Sequence, residues 1–217
     1  MNSFHYAPPQ DPLTIIHQDD DLLLVDKPAG LLSVPGKAAE HADCLETRVK
    51  TAYPTALLVH RLDMDTSGIM VFAMNKPAQR HLGLQFERRH IDKTYIAEVF
   101  GKVKEDEGEV KLPLIVDWPN RPLQKVCFDT GKAAQTVWQV VGRADLRTRV
   151  RLTPRTGRSH QLRVHMRELE HPILGDRFYS SGDALKAADR LMLHSESLSF
   201  YHPTGGARVK FQSPCPF

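Results

Sequence analysis

His60-Arg61-Leu62-Asp63-Met64-Asp65-Thr66-Ser67-Gly68 lies between two apolar runs, Ala56–Val59 and Ile69–Ala73. Both runs are short and bounded by turn residues, which predicts a pair of buried strands. The segment between them is polar and ends in Ser67-Gly68, and Gly68 accepts backbone angles that other residues avoid. A carboxylate, an arginine and small hydroxyls gathered between two core strands is an arrangement by which a rigid scaffold positions chemistry. A solvated strand-to-strand turn is the plainer account of any such loop taken singly.

On the N-terminal side, Thr14–Gln18 and Leu22–Asp26 read as strands separated by the turn Asp19-Asp20. Lys27-Pro28-Ala29-Gly30 then breaks the pattern with a turn of defined geometry. Asp43 followed by Glu46 resembles a capping box and predicts a helix from about Cys44 to Tyr53, stopped by Pro54. On the C-terminal side, Asn75-Lys76-Pro77 opens a helix whose apolar stripe is Ala78, Leu82 and Phe86, ending near Arg89. Lys93–Phe100 is a strand with Tyr95, Ala97 and Val99 on one face, and Val110–Ile115 is a shorter one. Trp118-Pro119-Asn120-Arg121-Pro122 is a stiff, basic loop with an aromatic. It reads either as a packed surface loop or as a segment that lies against RNA by stacking. Thr136–Val141 pairs with Arg149–Thr153. Ser159 is placed as N-cap of a helix over His160–Leu169 with Leu162, His165, Met166 and Leu169 inward. A short helix over Asp183–Arg190 and strands over Leu191–Phe200 and Arg208–Gln212 close the chain. Strands outnumber helices and are often adjacent in sequence. The expected architecture is therefore α+β, one domain over residues 1–217 with a mixed, mainly antiparallel sheet flanked by helices.

The 217 residues are 41% hydrophobic and 25% charged, ordinary for a soluble globular protein. No apolar run approaches the roughly 18–20 residues that cross a membrane, and Met1–Pro12 lacks a signal-peptide core. Three scattered cysteines without a Cys-x-x-Cys pair fit a reducing cytoplasm and no disulfide framework. The net charge of +3 is weak evidence of an anionic partner. Arg147, Arg149, Arg151, Arg155, Arg158, Arg163 and Arg167 crowd one region, as do Arg80, Arg88, Arg89 and Lys93. Each arginine taken singly reads as part of a solvated face, while the first group taken together reads equally as phosphate contacts or as a solvated face. No metal motif is present: His160 and His165, five apart, fall on different sides of a helix. P-loop, dinucleotide and Gly-x-Ser-x-Gly patterns are absent. If Asp63, Tyr95 and Arg163 converge, a carboxylate held ionised by a guanidinium sits beside a flat phenol, ready to act as nucleophile or base.

The long stretch around Asp63 resembles the catalytic motif of the RluA family of pseudouridine synthases. Lys93-Thr94-Tyr95 is similar to that family's second motif and Thr156-Gly157-Arg158-Ser159-His160-Gln161-Leu162-Arg163-Val164-His165 to its third. Lys27-Pro28-Ala29-Gly30-Leu31 is similar to its early loop. The resemblance implies isomerisation of uridine in RNA to pseudouridine, with no cofactor and no metal. It implies Asp63 as nucleophile, Tyr95 stacked on the uracil and Arg163 paired with Asp63. Arg61 would enter the RNA stack where the target leaves, at a cost that is smallest in a loop. His60, Lys27, Arg158 and Thr66 complete the implied substrate-binding set. Lys27–Gly36 and Asp117–Val126 look most like the family member that modifies both 23S rRNA and a tRNA anticodon stem-loop. A monomer, without the S4-like domain of some relatives, is expected. Another short member with a different target and a non-catalytic RNA-binding module are the alternatives.

Overall fold

The computed structural model describes residues 6–217. The first five residues of the Met1–Pro12 stretch lie outside them. Two units make up the chain: Met1–Asp92 with Ser195–Pro216, and Lys93–His194 with Phe217.

The first unit begins with β1 (Thr14–Gln18), β2 (Leu22–Lys27), α1 (Leu45–Ala52), β3 (Leu57–Leu58), β4 (Ser67–Ala73) and α2 (Lys76–Glu87). Strand β2 runs antiparallel to both β1 and β4, with Lys27 opposite Gly68 at the end of the β2–β4 ladder. Every residue of β4 is buried, which explains why it reads as an unbroken apolar run rather than an alternating one. Leu22, Leu24, Ile69 and Val71 pack with Ala78 and Leu82 of α2, so the stripe expected on that helix is its inner face. The helix expected to open at Asn75-Lys76-Pro77 is capped by Asn75, its side chain accepting from the Ala78 amide at 2.8 Å. The cap of α1 differs from expectation. Cys44 Sγ takes the Thr47 amide, while Asp43 receives Arg48 Nε and Nη2 at 2.7 Å each. A forked guanidinium is the stronger partner for a carboxylate than one orphan amide, so Asp43 is drawn off the helix end.

The second unit holds β5 (Asp92–Phe100), β6 (Glu107–Val110), β7 (Leu114–Val116), β8 (Gln124–Val126), β9 (Thr136–Arg143), β10 (Arg147–Pro154), α3 (Gln161–Glu168) and α4 (Gly182–Lys186). Strands run β5-β10-β9-β6, each pairing antiparallel. Ala97, Val99, Val150 and Leu152 form its core with Met166 of α3 and Ile173. The single strand expected over Val110–Ile115 is two strands. Pro113 has no amide to continue the ladder, so β6 stays on β9 and Leu114 starts a hairpin with β8. The helix expected over Asp183–Arg190 is shorter, Gly182–Lys186.

The chain then re-enters the first unit along β11 (Leu193–Tyr201), which lies beside β4, and ends with β12 (Arg208–Gln212) antiparallel to β11. Gly68 has φ +116°, and a Cβ there would sit 2.3 Å from the Ser195 carbonyl oxygen. The glycine closing the polar stretch is thus what lets β11 lie against the start of β4. The architecture is α+β, with mainly antiparallel strands flanked by helices. Among the described residues no helix is long and apolar enough to cross a membrane.

One turn of the first unit carries a titratable cluster. Asp19 accepts from the Asp21 and Leu22 amides at 2.8 Å each, from His17 Nε2 at 2.7 Å and from His202 Nε2 at 3.1 Å. Burial pushes Asp19 up, but these hydrogen bonds outweigh it and leave the carboxyl at about 2. Burial pushes His202 down, and the bond to Asp19 outweighs that, so its value is raised above 6.5. The raised histidine stabilises the fold fully below 6.5, and that contribution is lost as pH rises through its folded value. Urea unfolding of wild type and His202→Gln is expected to differ at about pH 5 and to converge at about pH 9. Equal gaps at both pH values would remove His202 from the account.

Candidate active site

Asp63 lies half-buried in the loop between β3 and β4, and the backbone on both sides of it is fastened. Before it, Leu62 donates its amide to Ser33 Oγ at 3.1 Å and accepts from the same hydroxyl at 2.7 Å. After it, the Met64 carbonyl receives the Gly30 amide at 2.9 Å and Lys27 Nζ at 2.8 Å. The Thr66 amide closes the turn onto the Asp63 carbonyl at 3.2 Å. A carboxylate on a loop held this way needs little reorganisation before reacting.

These contacts place three of the expected substrate-binding residues in the scaffold of the loop. Lys27 is fully buried, and its ammonium donates to the carbonyls of Pro28, Leu31 and Met64 at 2.7–2.9 Å. An ammonium with three donors directed at three carbonyls organises the two loops instead of meeting a phosphate. His60 Nε2 accepts from the Val71 amide at 3.0 Å and its ring stacks on Phe86 at 4.7 Å, so it ties the loop to β4 and α2. Thr66 is buried within the turn itself. Arg61, in contrast, is exposed.

In the second unit Tyr95 stands half-buried on β5, opposite Leu152 of β10, with its ring against the edge of that unit's core. Arg163 is almost wholly buried on α3. Its Nε and Nη2 donate to Asp176 Oδ2 and Oδ1 at 2.8 and 2.7 Å. Asp176 is fully buried and also accepts the amides of Phe178 and Tyr179 at 2.9 and 3.2 Å. The rings of those two residues lie 5.1 and 5.2 Å from the Arg163 guanidinium carbon. The arginine is therefore clamped edge-on by a fork and flanked by aromatic rings. Asp176 is the residue that sequence reasoning missed: it lies between the helices expected over His160–Leu169 and Asp183–Arg190, and nothing local connects it to position 163.

The turn before α3 is also built differently from expectation. His160, at φ +53°, takes the N-cap position without a side-chain cap, and Ser159 does not cap the helix. Gln161 secures the turn instead. Its Oε1 accepts from Thr156 Oγ1 at 2.6 Å and the Arg158 amide at 3.1 Å, and its Nε2 donates to Thr136 Oγ1 at 2.9 Å. Arg158 is half-exposed, with Nε on the Ala133 carbonyl at 3.1 Å. Burial lowers His165, which bonds Thr136 Oγ1 and the Leu112 carbonyl as a core histidine. The arginine-rich group divides: Arg147 and Arg149 both bind the buried Glu98, at 3.0 and 3.1 Å, while Arg163 serves Asp176.

Residues 21–168, more than half the chain, match the family described as RNA pseudouridylate synthase. The chain belongs to that family. It is 54% identical over 219 residues to the dual-specificity RNA pseudouridine synthase RluA of Escherichia coli (strain K12), covering all of both chains. It is 52% identical over 223 residues to the RluA of Vibrio parahaemolyticus, covering all of this chain and 89% of that one. Among solved structures, human RNA pseudouridylate synthase domain containing 1 superposes with a TM-score of 0.81 at 27% identity, covering 97% of this chain and 87% of that one. This pseudouridylate synthase is accordingly an enzyme that isomerises uridine in RNA, as the motif around Asp63 implied.

Proposed function

We propose that this pseudouridylate synthase acts on specific uridines in both 23S rRNA and a tRNA anticodon stem-loop, with Asp63 as the nucleophile. The observation that carries the dual target is the full-length 54% identity to a chain named for dual specificity. In the proposed reaction the glycosidic bond from uracil N1 to the sugar C1′ breaks. The base turns, C5 bonds to C1′, the hydrogen formerly on C5 leaves as a proton, and N1, freed from the sugar, takes one up. Reactant and product are isomers, so no oxidant or co-substrate enters. Asp63 forms the transient bond to the nucleotide, at C1′ or at uracil C6, and the fastened loop supports that role. Arg163 is assigned as the cation paired with Asp63, and its clamp on Asp176 supports a fixed orientation. Tyr95 is assigned to the uracil face, Arg61 to the gap left in the RNA stack, and Arg158 to a phosphate. The chain over residues 1–217 is taken to work as one catalytic domain, monomeric and in the cytoplasm.

Tritium release from RNA labelled at uracil C5 tests this reading. Release from both an anticodon stem-loop and a 23S fragment is expected. Release from only one would reduce the proposal to a single-target enzyme, and RNA binding without any release would leave a binding module. Tyr95→Phe keeps the ring and should retain single-turnover activity to within about tenfold. Complete loss would mean that the hydroxyl itself moves a proton.

A further inference from the structure

The geometry points to the β7–β8 hairpin as a stacking arm for an unpaired base of the RNA substrate outside the target uridine, with Trp118 as its platform. This rests on the reading of RNA as substrate. Trp118 is 66% exposed, so it is not the residue of a packed surface loop. The Arg121 guanidinium lies over its ring at 3.9 Å. Phe128, on the same segment, is 75% exposed. An indole left open to water beside a cation presents the two features that single-stranded nucleic acid engages, a π-face for a base and a charge for its phosphate. Residues 111–132 carry four cations (Lys111, Arg121, Lys125, Lys132) against two carboxylates (Asp117, Asp129), so the charge complements RNA.

The tip is ordered. The Asp117 amide donates to the Leu123 carbonyl at 2.8 Å and the Leu123 amide to Asn120 at 3.0 Å, while Asn120 Nδ2 binds Asp117 at 2.8 Å. Pro119 and Pro122 fix two more backbone angles. The arm is also fastened to the element that carries Arg163. Leu114, Leu123 and Val126 pack with Val164 of α3 and with Tyr179. The Gln124 amide donates to the Tyr179 hydroxyl at 2.8 Å, and that hydroxyl shares a 2.6 Å hydrogen bond with His160 Nδ1. The same tyrosine ring flanks Arg163. An exposed platform on a hairpin packed against Tyr179, whose ring flanks the candidate catalytic arginine, sets a fixed distance between a flanking base and the target. A paired duplex has no open base face to offer it, whereas a loop does.

The chain has two tryptophans, and Trp138 is buried, so fluorescence change on binding reports Trp118. Wild type and Trp118→Phe are titrated with a uridine-bearing anticodon stem-loop and with a fully paired duplex, and binding is followed separately by anisotropy of labelled RNA. Stem-loop binding should quench wild-type fluorescence, the duplex should quench it far less, and Trp118→Phe should lose the signal. Trp118→Ala should raise Kd and KM about tenfold with kcat within about twofold, and Arg121→Ala should raise both several-fold. Anisotropy-detected binding without quenching, or an unchanged KM in Trp118→Ala, overturns the arm. Tritium release without quenching sinks the arm alone. Quenching by the stem-loop without tritium release supports the arm and sinks the catalytic reading.

Discussion

Asp63→Asn is expected to abolish pseudouridine formation, by at least about 10⁴-fold in single-turnover rate, while RNA affinity stays within about twofold. The amide matches the carboxylate in shape but carries no charge and does not form the covalent bond. The loop should survive the change, because what fastens it is backbone: Leu62 to Ser33, Met64 to Lys27 and Gly30, and Thr66 to the Asp63 carbonyl. Tritium release, RNA anisotropy and thermal unfolding of the same preparation separate the effects. Residual turnover near wild type would remove Asp63 as nucleophile. Asp63→Glu guards against a folding artefact, since it keeps the charge and moves it by one methylene. It should fold like wild type and still lose most turnover.

Asp176→Ala should damage both stability and turnover, through a residue expected to touch no substrate. It leaves the Arg163 guanidinium buried without its forked partner, and the Phe178 and Tyr179 amides without an acceptor. Breaking a buried pair from one side costs about 3–5 kcal/mol. The urea midpoint should therefore fall sharply, and turnover by at least about a hundredfold at temperatures where the variant remains folded. The double variant Arg163→Leu with Asp176→Leu distinguishes positioning from mere stability. Removing both charges should recover most of the lost stability, because no buried charge is left alone. Turnover should not return with it. Recovery of both would make the pair purely structural, and an Asp176→Ala protein as stable as wild type would contradict the clamp altogether.

The elements that local rules specify were legible. Strands β1 and β12 have the bounds that their apolar and turn residues predict, and Asn75 caps α2 because capping involves neighbours in sequence. Where two local partners compete, the reading slips by a residue. Asp43 and Cys44 could each cap α1, and the choice was made by Arg48, whose fork engages Asp43. Pro113 broke an expected strand because proline withholds an amide from a ladder, an effect that depends on which strand lies alongside. Lys27 reads as a surface cation in any window of sequence. Its burial follows from three carbonyls, one of them 37 residues away.

The sequence by itself determined the α+β class, the motifs around Asp63, Tyr95 and Arg163, and through them the chemistry, because strand periodicity and motif order are written in consecutive residues. Only the tertiary structure decided which polar groups remain for substrate and which are consumed by the scaffold. A charge removed from water must find its partners in three dimensions, whatever their separation along the chain. Arg163 found Asp176, thirteen residues on, and Lys27 found the Met64 carbonyl, next to Asp63. Arg61 and Trp118, exposed as they are, remain available to RNA.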